Sequence, residues 1–130
     1  MAGGAVGRKI LLVDDDKGVV EVIKRAFEEN KYDVITAYDG KEGFEKVNSD
    51  DPDLIVLDIR MPSMNGYEFM RALREEKRNQ NQPMTPVIML TAKEEMEAVF
   101  RMEGAKGYLV KPVNPATLIR KIQECLHPDE

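Results

Sequence analysis

Five short runs of aliphatic and β-branched residues recur along the chain: KILLV (9–13), DVITA (33–37), DLIVLD (53–58), PVIMLT (86–91) and GYLV (107–110). Three of them are nearly continuous in hydrophobicity where a half-exposed strand would alternate. That pattern predicts parallel strands buried on both faces. Between the runs, apolar residues fall at helical spacing. Val19, Val22, Ile23, Ala26 and Phe27 predict one helical face, Phe69, Ala72 and Leu73 another, and Met96, Val99 and Phe100 a third. The last helix is the best marked: Asn114 stands at the N-cap and Pro115 at the first helical position. Leu118, Ile119, Ile122, Cys125 and Leu126 then form its buried stripe. A weaker helix over 40–48 is carried by Phe44 and Val47.

Strands alternating with helices predict an α/β fold, a doubly wound five-stranded parallel sheet with right-handed crossovers and five helices on its two faces. The polar stretch RNQNQPMT (78–85) is expected to be the longest loop. No repeat, low-complexity tract or linker breaks the pattern. Residues 1–130 are therefore expected to form a single domain, with a core at about 9–126 and loose ends at 1–8 and 127–130.

Composition narrows the function. Asp and Glu number 24 against 19 Lys and Arg, a net charge of -5. An acidic chain is poorly suited to gripping phosphate backbones directly, so no direct nucleic-acid partner is expected. One Cys excludes an internal disulfide and a zinc cluster, and fits a reducing, cytoplasmic setting. No apolar run approaches the roughly 20 residues that span a bilayer, so no membrane insertion is expected. Cys125 reads as core and His127 as no phosphohistidine relay, while Met61 and Met64 are expected to be exposed. Gly3, Gly4 and Gly7 precede the first strand instead of following it, and no P-loop occurs, which speaks against a nucleotide or flavin binder.

In open α/β sheets, sites form beyond the carboxyl ends of the strands where the strand order reverses. The first strand leaves Asp14, Asp15 and Asp16 at that end; the third ends in Asp58 and the fourth in Thr91, followed by the small Ala92. Lys111-Pro112 follows the fifth. Each has an ordinary reading as a helix cap, strand end or turn. In a 2-1-3-4-5 sheet, however, the first and third strands are neighbours and three carboxylates share one crevice. Such carboxylates repel unless a cation neutralises them. An all-oxygen set with few protein ligands suits Mg²⁺. Lys111 adds a point charge for a carboxylate or a phosphate. The combination is suited to making and holding an aspartyl phosphate.

Four segments, ILLVDDD (10–16), LIVLDIRMPSMNG (54–66), VIMLTA (87–92) and GYLVKP (107–112), resemble in order and in near-family spacing the landmarks of the receiver domains of two-component response regulators. The resemblance runs from Lys9 to about Leu126. It implies a flavodoxin-like receiver fold of order 2-1-3-4-5 and a phosphoryl-accepting switch. Asp58 would accept the phosphoryl group from the phosphohistidine of a sensor histidine kinase or phosphotransfer protein. Asp15, Asp58 and the backbone carbonyl of Arg60 would ligate Mg²⁺, with Asp14 acting through water or by orienting Lys111. Thr91 would move toward the phosphoryl oxygens and Tyr108 would swing inward behind it. Those shifts would change the surface around the fourth helix, fifth strand and fifth helix, where a downstream protein target binds. The resemblance also implies a cis Lys111-Pro112 bond and no enzymatic turnover beyond self-catalysed phosphorylation and dephosphorylation. Asp16 reads as a helix-start residue, and Gly66 after Asn65 as the turn that begins the third helix.

Two features depart from the family pattern. Arg60 and Lys93, two residues past Asp58 and Thr91, flank the approach path for water and are expected to alter the lifetime of the phosphorylated state. The stretch from Thr91 to Lys111 is about two residues short, so the fourth helix is expected to be short or reoriented. With only HPDE after the last helix, signalling by contact with another protein is the expectation. Two rival readings remain: a phosphatase of the haloacid dehalogenase type using Asp14 and Asp16, and a receiver fold used only for binding, without phosphorylation.

Overall fold

The structure, a computed structural model, describes residues 7–61, 63–95 and 104–127. Five strands, β1 (Lys9–Val13), β2 (Asp33–Ala37), β3 (Leu54–Asp58), β4 (Val87–Thr91) and β5 (Gly107–Val110), form one parallel sheet in the order β2-β1-β3-β4-β5. All five sit within a residue of their hydrophobic runs. The continuous runs occupy the sheet's centre: every residue of β3 and β4 is buried, whereas the edge strands β2 and β5 are mostly half-buried.

Four α-helices are present among the described residues, α1 (Lys17–Glu29), α2 (Gly40–Asp50), α3 (Gly66–Asn79) and α4 (Pro115–Leu126). The face expected from Met96, Val99 and Phe100 lies outside the described residues, as does most of the stretch read as short; only a 3-10 turn at Lys93–Glu95 is described there. Helix α4 is the last helix of the sequence reading, capped by the Asn114 side chain on the N–H groups of Ala116 and Thr117, with Pro115 opening it. Because α3 runs on to Asn79, the polar loop starts two residues later than its composition suggests.

Alternation along the strands splits the core in two. Leu11, Val13, Ile55, Leu57, Val87 and Met89 face α2 and α3, where Phe69, Met70 and Leu73 meet them. Ile10, Leu12, Leu54, Val56, Ile88 and Leu90 face α1 and α4. On α1 the buried stripe is Val20, Ile23 and Phe27, and Val22 is 59% exposed. The apolar run offers two overlapping stripes that share Ile23 and Phe27, and the helix is turned so that Val20 joins them against the sheet while Val22 faces outward. Met61 is likewise buried, contrary to expectation, and Met64 is half-buried. Cys125 and Leu126 pack at the edge of the second cluster.

Candidate functional site

The chain reverses strand order between β1 and β3, and the candidate residues gather at the carboxyl ends on that side. Asp14 follows β1, Asp58 closes β3, Thr91 closes β4 and Lys111 follows β5. Backbone hydrogen bonds pin these ends. Asp14 N–H donates to the Ala37 carbonyl, Ile59 N–H to that of Leu90, and Lys111 N–H to that of Thr91. The loop after β3 returns through a hydrogen bond from Gly66 N–H to the Ile59 carbonyl, then enters α3 through a reciprocal cap between Asn65 and Glu68. Gly66 is required here, since a Cβ would lie 2.9 Å from both Ile59 Cα and Met89 Cε. The Lys111-Pro112 peptide is cis.

Asp14 and Asp58 are buried and Asp15 is exposed, and one carboxylate oxygen from each lies within 4.8 Å of the others. Asp14 Oδ1 accepts the Asp16 N–H at 2.9 Å, and its Oδ2 lies 2.9 Å from Lys111 Nζ. The same ammonium is 3.2 Å from Asp58 Oδ2, whose other oxygen accepts the Arg60 N–H at 3.3 Å. Burial is the main force raising the Asp58 carboxyl to about 6; the Asp14 charge adds to it, and Lys111 and the Arg60 N–H offset part. For Lys111, burial pulls the pKa down, but the two carboxylates outweigh it and the net shift is upward. A like-charge cluster with a single ammonium and only oxygen donors is a set that a hard divalent cation fits. A concavity of about 500 Å³ opens above it, lined by Asp15, Asp58, Arg60, Met61, Ala92 and Lys111, together with Asp16.

Other expected residues fall nearby with different partners. Thr91 is fully buried, and its hydroxyl donates to the Ala92 carbonyl at 3.0 Å. Tyr108, opposite Met89 in the sheet register, is half-buried and packs against the cluster on the α2–α3 side. Asp16 caps α1 through the N–H groups of Gly18 and Val19, so its side chain is taken up structurally. That leaves the Asp14/Asp16 pair of the dehalogenase reading divided between site and cap. Lys93 is exposed on the 3-10 turn. Arg60 pairs with Glu95, a partner no sequence signal announces across 35 positions. His127 stacks on Tyr32, away from the acidic cluster.

A family profile, the response regulator receiver domain, matches residues 10–123. The chain belongs to the response regulator receiver family. The receiver is 39% identical over 127 residues to the alkaline phosphatase synthesis transcriptional regulatory protein PhoP of Bacillus subtilis, covering 96% of this chain and 51% of that protein. It is 40% identical over 120 residues to the transcriptional regulatory protein CpxR of Escherichia coli, covering 91% and 49%. It thus spans about half the length of these curated relatives. Among solved structures, the Francisella response regulator 1452 receiver domain superposes with a TM-score of 0.80 at 34% identity, over 95% of this chain and all of that one. The chemotaxis response regulator CheY4 of Vibrio cholerae does so with a TM-score of 0.76 at 36% identity, over 90% and 97%. The receiver is a signalling module of two-component systems, and no helix among the described residues is long and apolar enough to cross a membrane.

Proposed function

We propose that this receiver is a phosphoryl-accepting switch whose acceptor is Asp58. The observation that carries this reading is the arrangement of Asp14, Asp15 and Asp58 around one crevice, with Lys111 bridging two of them. An Asp58 oxygen attacks the phosphorus of a phosphohistidine on a sensor kinase or phosphotransfer protein. A P–O bond forms as the P–N bond breaks, and the departing imidazole keeps the electron pair and takes up a proton. Lys111 holds the carboxylate in place and offsets negative charge on the transferring group. Asp15, Asp58 and the Arg60 carbonyl would hold Mg²⁺, with Asp14 steering through Lys111. When bound, that ion supplies charge neutralisation between carboxylate and phosphoryl oxygens. The Ala92 side chain leaves room above Asp58 for the incoming group. After transfer, Thr91 gives up its bond to the Ala92 carbonyl for a phosphoryl oxygen, and Tyr108 follows inward. A local charge thus biases a two-state loop and remodels the surface around β5 and α4 for a downstream protein.

The test is incubation with Mg²⁺ and acetyl phosphate or phosphoramidate, followed by intact mass. One labile phosphoryl adduct forms on the wild type and is absent with chelator or in Asp58→Asn. A wild type left unmodified by small donors and by a cognate kinase contradicts the reading.

A further inference from the structure

Two cationic side chains line the concavity above Asp58, and they are held differently. Lys111 is largely enclosed and already bound to Asp14 and Asp58. Arg60 has a fixed backbone, with its N–H on Asp58 Oδ1, but its side chain is 69% exposed. Its guanidinium is held at the rim by Glu95: Nε donates to Oε1 at 2.9 Å, and Nη2 donates to that same oxygen. Two donors converging on one oxygen leave the guanidinium fork unmatched, whereas a phosphoryl group offers several oxygens for parallel bonds.

Charge supplies the second half of the case. With a divalent cation bound, three carboxylates, the Lys111 ammonium and that cation are formally neutral. Esterifying Asp58 replaces a monoanion by a group carrying nearly two negative charges, so about one unit is left over. Among the described residues, Arg60 is the cation lining the concavity that is not already committed to the acidic cluster. Its long side chain starts two residues from Asp58, beside an N–H already on the acceptor carboxylate. An exposed ion pair such as Arg60–Glu95 favours its closed form by only about two- to fivefold. Charged hydrogen bonds to phosphoryl oxygens are worth on the order of tenfold or more.

We infer that Arg60 is a phosphoryl-binding residue held in reserve on Glu95: when Asp58 carries a phosphoryl group, the guanidinium exchanges the Glu95 carboxylate for phosphoryl oxygens. The freed Glu95 carboxylate then changes the charge of the rim beside Thr91. The exchange rests on Asp58 being the acceptor.

The experiment titrates wild type, Arg60→Gln, Glu95→Gln and the double variant with beryllofluoride in the presence of Mg²⁺, by calorimetry, and follows the Arg60 Nε–Hε NMR signal. Gln at position 60 retains the backbone carbonyl. Arg60→Gln weakens beryllofluoride binding on the order of tenfold. Glu95→Gln tightens it about two- to fivefold by releasing the guanidinium. The double variant matches Arg60→Gln, and the Arg60 signal moves when wild type is loaded. Equal affinity of Arg60→Gln and wild type, or a Glu95→Gln gain that survives without Arg60, overturns the exchange while leaving Asp58 as acceptor. A wild type that neither binds beryllofluoride nor takes a phosphoryl group from acetyl phosphate overturns both.

Discussion

Lys111 Nζ lies 3.2 Å from Asp58 Oδ2, reaching from the end of β5 to the end of β3 across the intervening β4. The same ammonium holds Asp14 beyond β1, so one positive charge ties three strand ends together. Removing it leaves two buried carboxylates facing each other. Lys111→Met is expected to raise the Asp58 carboxyl further above its value of about 6, because a lowering influence is lost. Labelling by acetyl phosphate should fall on the order of a hundredfold, as when one preorganised donor is removed from a reacting oxyanion. Carboxyl carbon NMR and the labelling rate check the two halves separately.

The raised Asp58 carboxyl has a consequence for stability. Its ordinary value is 3.8 and its folded value about 6, so between these the folded state holds a proton that the unfolded chain has released. Stability from this group therefore falls as pH rises from about 4 to about 6 and levels off above. With metal chelated, Asp58→Asn should be more stable than wild type at pH 7 by about 1–2 kcal/mol, and the gap should close toward pH 4. Saturating Mg²⁺ reverses the order by binding native wild type. Urea melts at several pH values, with chelator and with Mg²⁺, provide the measurement.

Gly40, the first residue of α2, packs against the loop that follows Arg60. A Cβ there would sit 2.1 Å from the Met64 carbonyl oxygen, a backbone atom that cannot rotate aside. Gly40→Ala must displace the loop whose Arg60 carbonyl is the proposed metal ligand. A loss of about 1–3 kcal/mol in stability is expected, together with weaker Mg²⁺ binding. Unfolding and calorimetric titration of one variant read both.

Val22 stands 59% exposed on α1, beside an apolar concavity formed with Val19, Pro112 and Val113. Asp16 and Lys111 line both this concavity and the one above Asp58, and a histidine-bearing protein donor docked over Asp58 is expected to touch Val22. Val22→Glu should leave stability within about 0.5 kcal/mol and labelling by acetyl phosphate intact. Transfer from a phosphorylated kinase or phosphotransfer protein should slow by about tenfold, since burying an unpaired charge at an interface is costly. Parallel rate measurements with the two donors distinguish docking from chemistry.

The strands were legible because each is a compact β-branched run, and a buried parallel sheet needs continuous hydrophobicity. The acidic residues and Lys111 were legible once strand order placed their ends together. Val22 was misplaced because the valines at 19, 20 and 22 support two helical stripes that share Ile23 and Phe27, and tertiary packing alone turns Val20 inward and Val22 outward. Lys77, buried on α3 and pointing its ammonium at Gln82, carries no hydrophobic signature at all. Close approaches such as Gly40 against Met64, and the distant pair Arg60–Glu95, depend on tertiary geometry that periodicity does not encode.

The claim that Asp58 is the phosphoryl acceptor is tested most directly by trapping. After reaction with acetyl phosphate and Mg²⁺, borohydride reduces an aspartyl phosphate to homoserine, and peptide mass spectrometry locates it. Homoserine is expected at position 58 alone, and none with chelator. Homoserine at Asp14, Asp15 or Asp16, or no reduced residue in a protein that has gained a phosphoryl group, would contradict it.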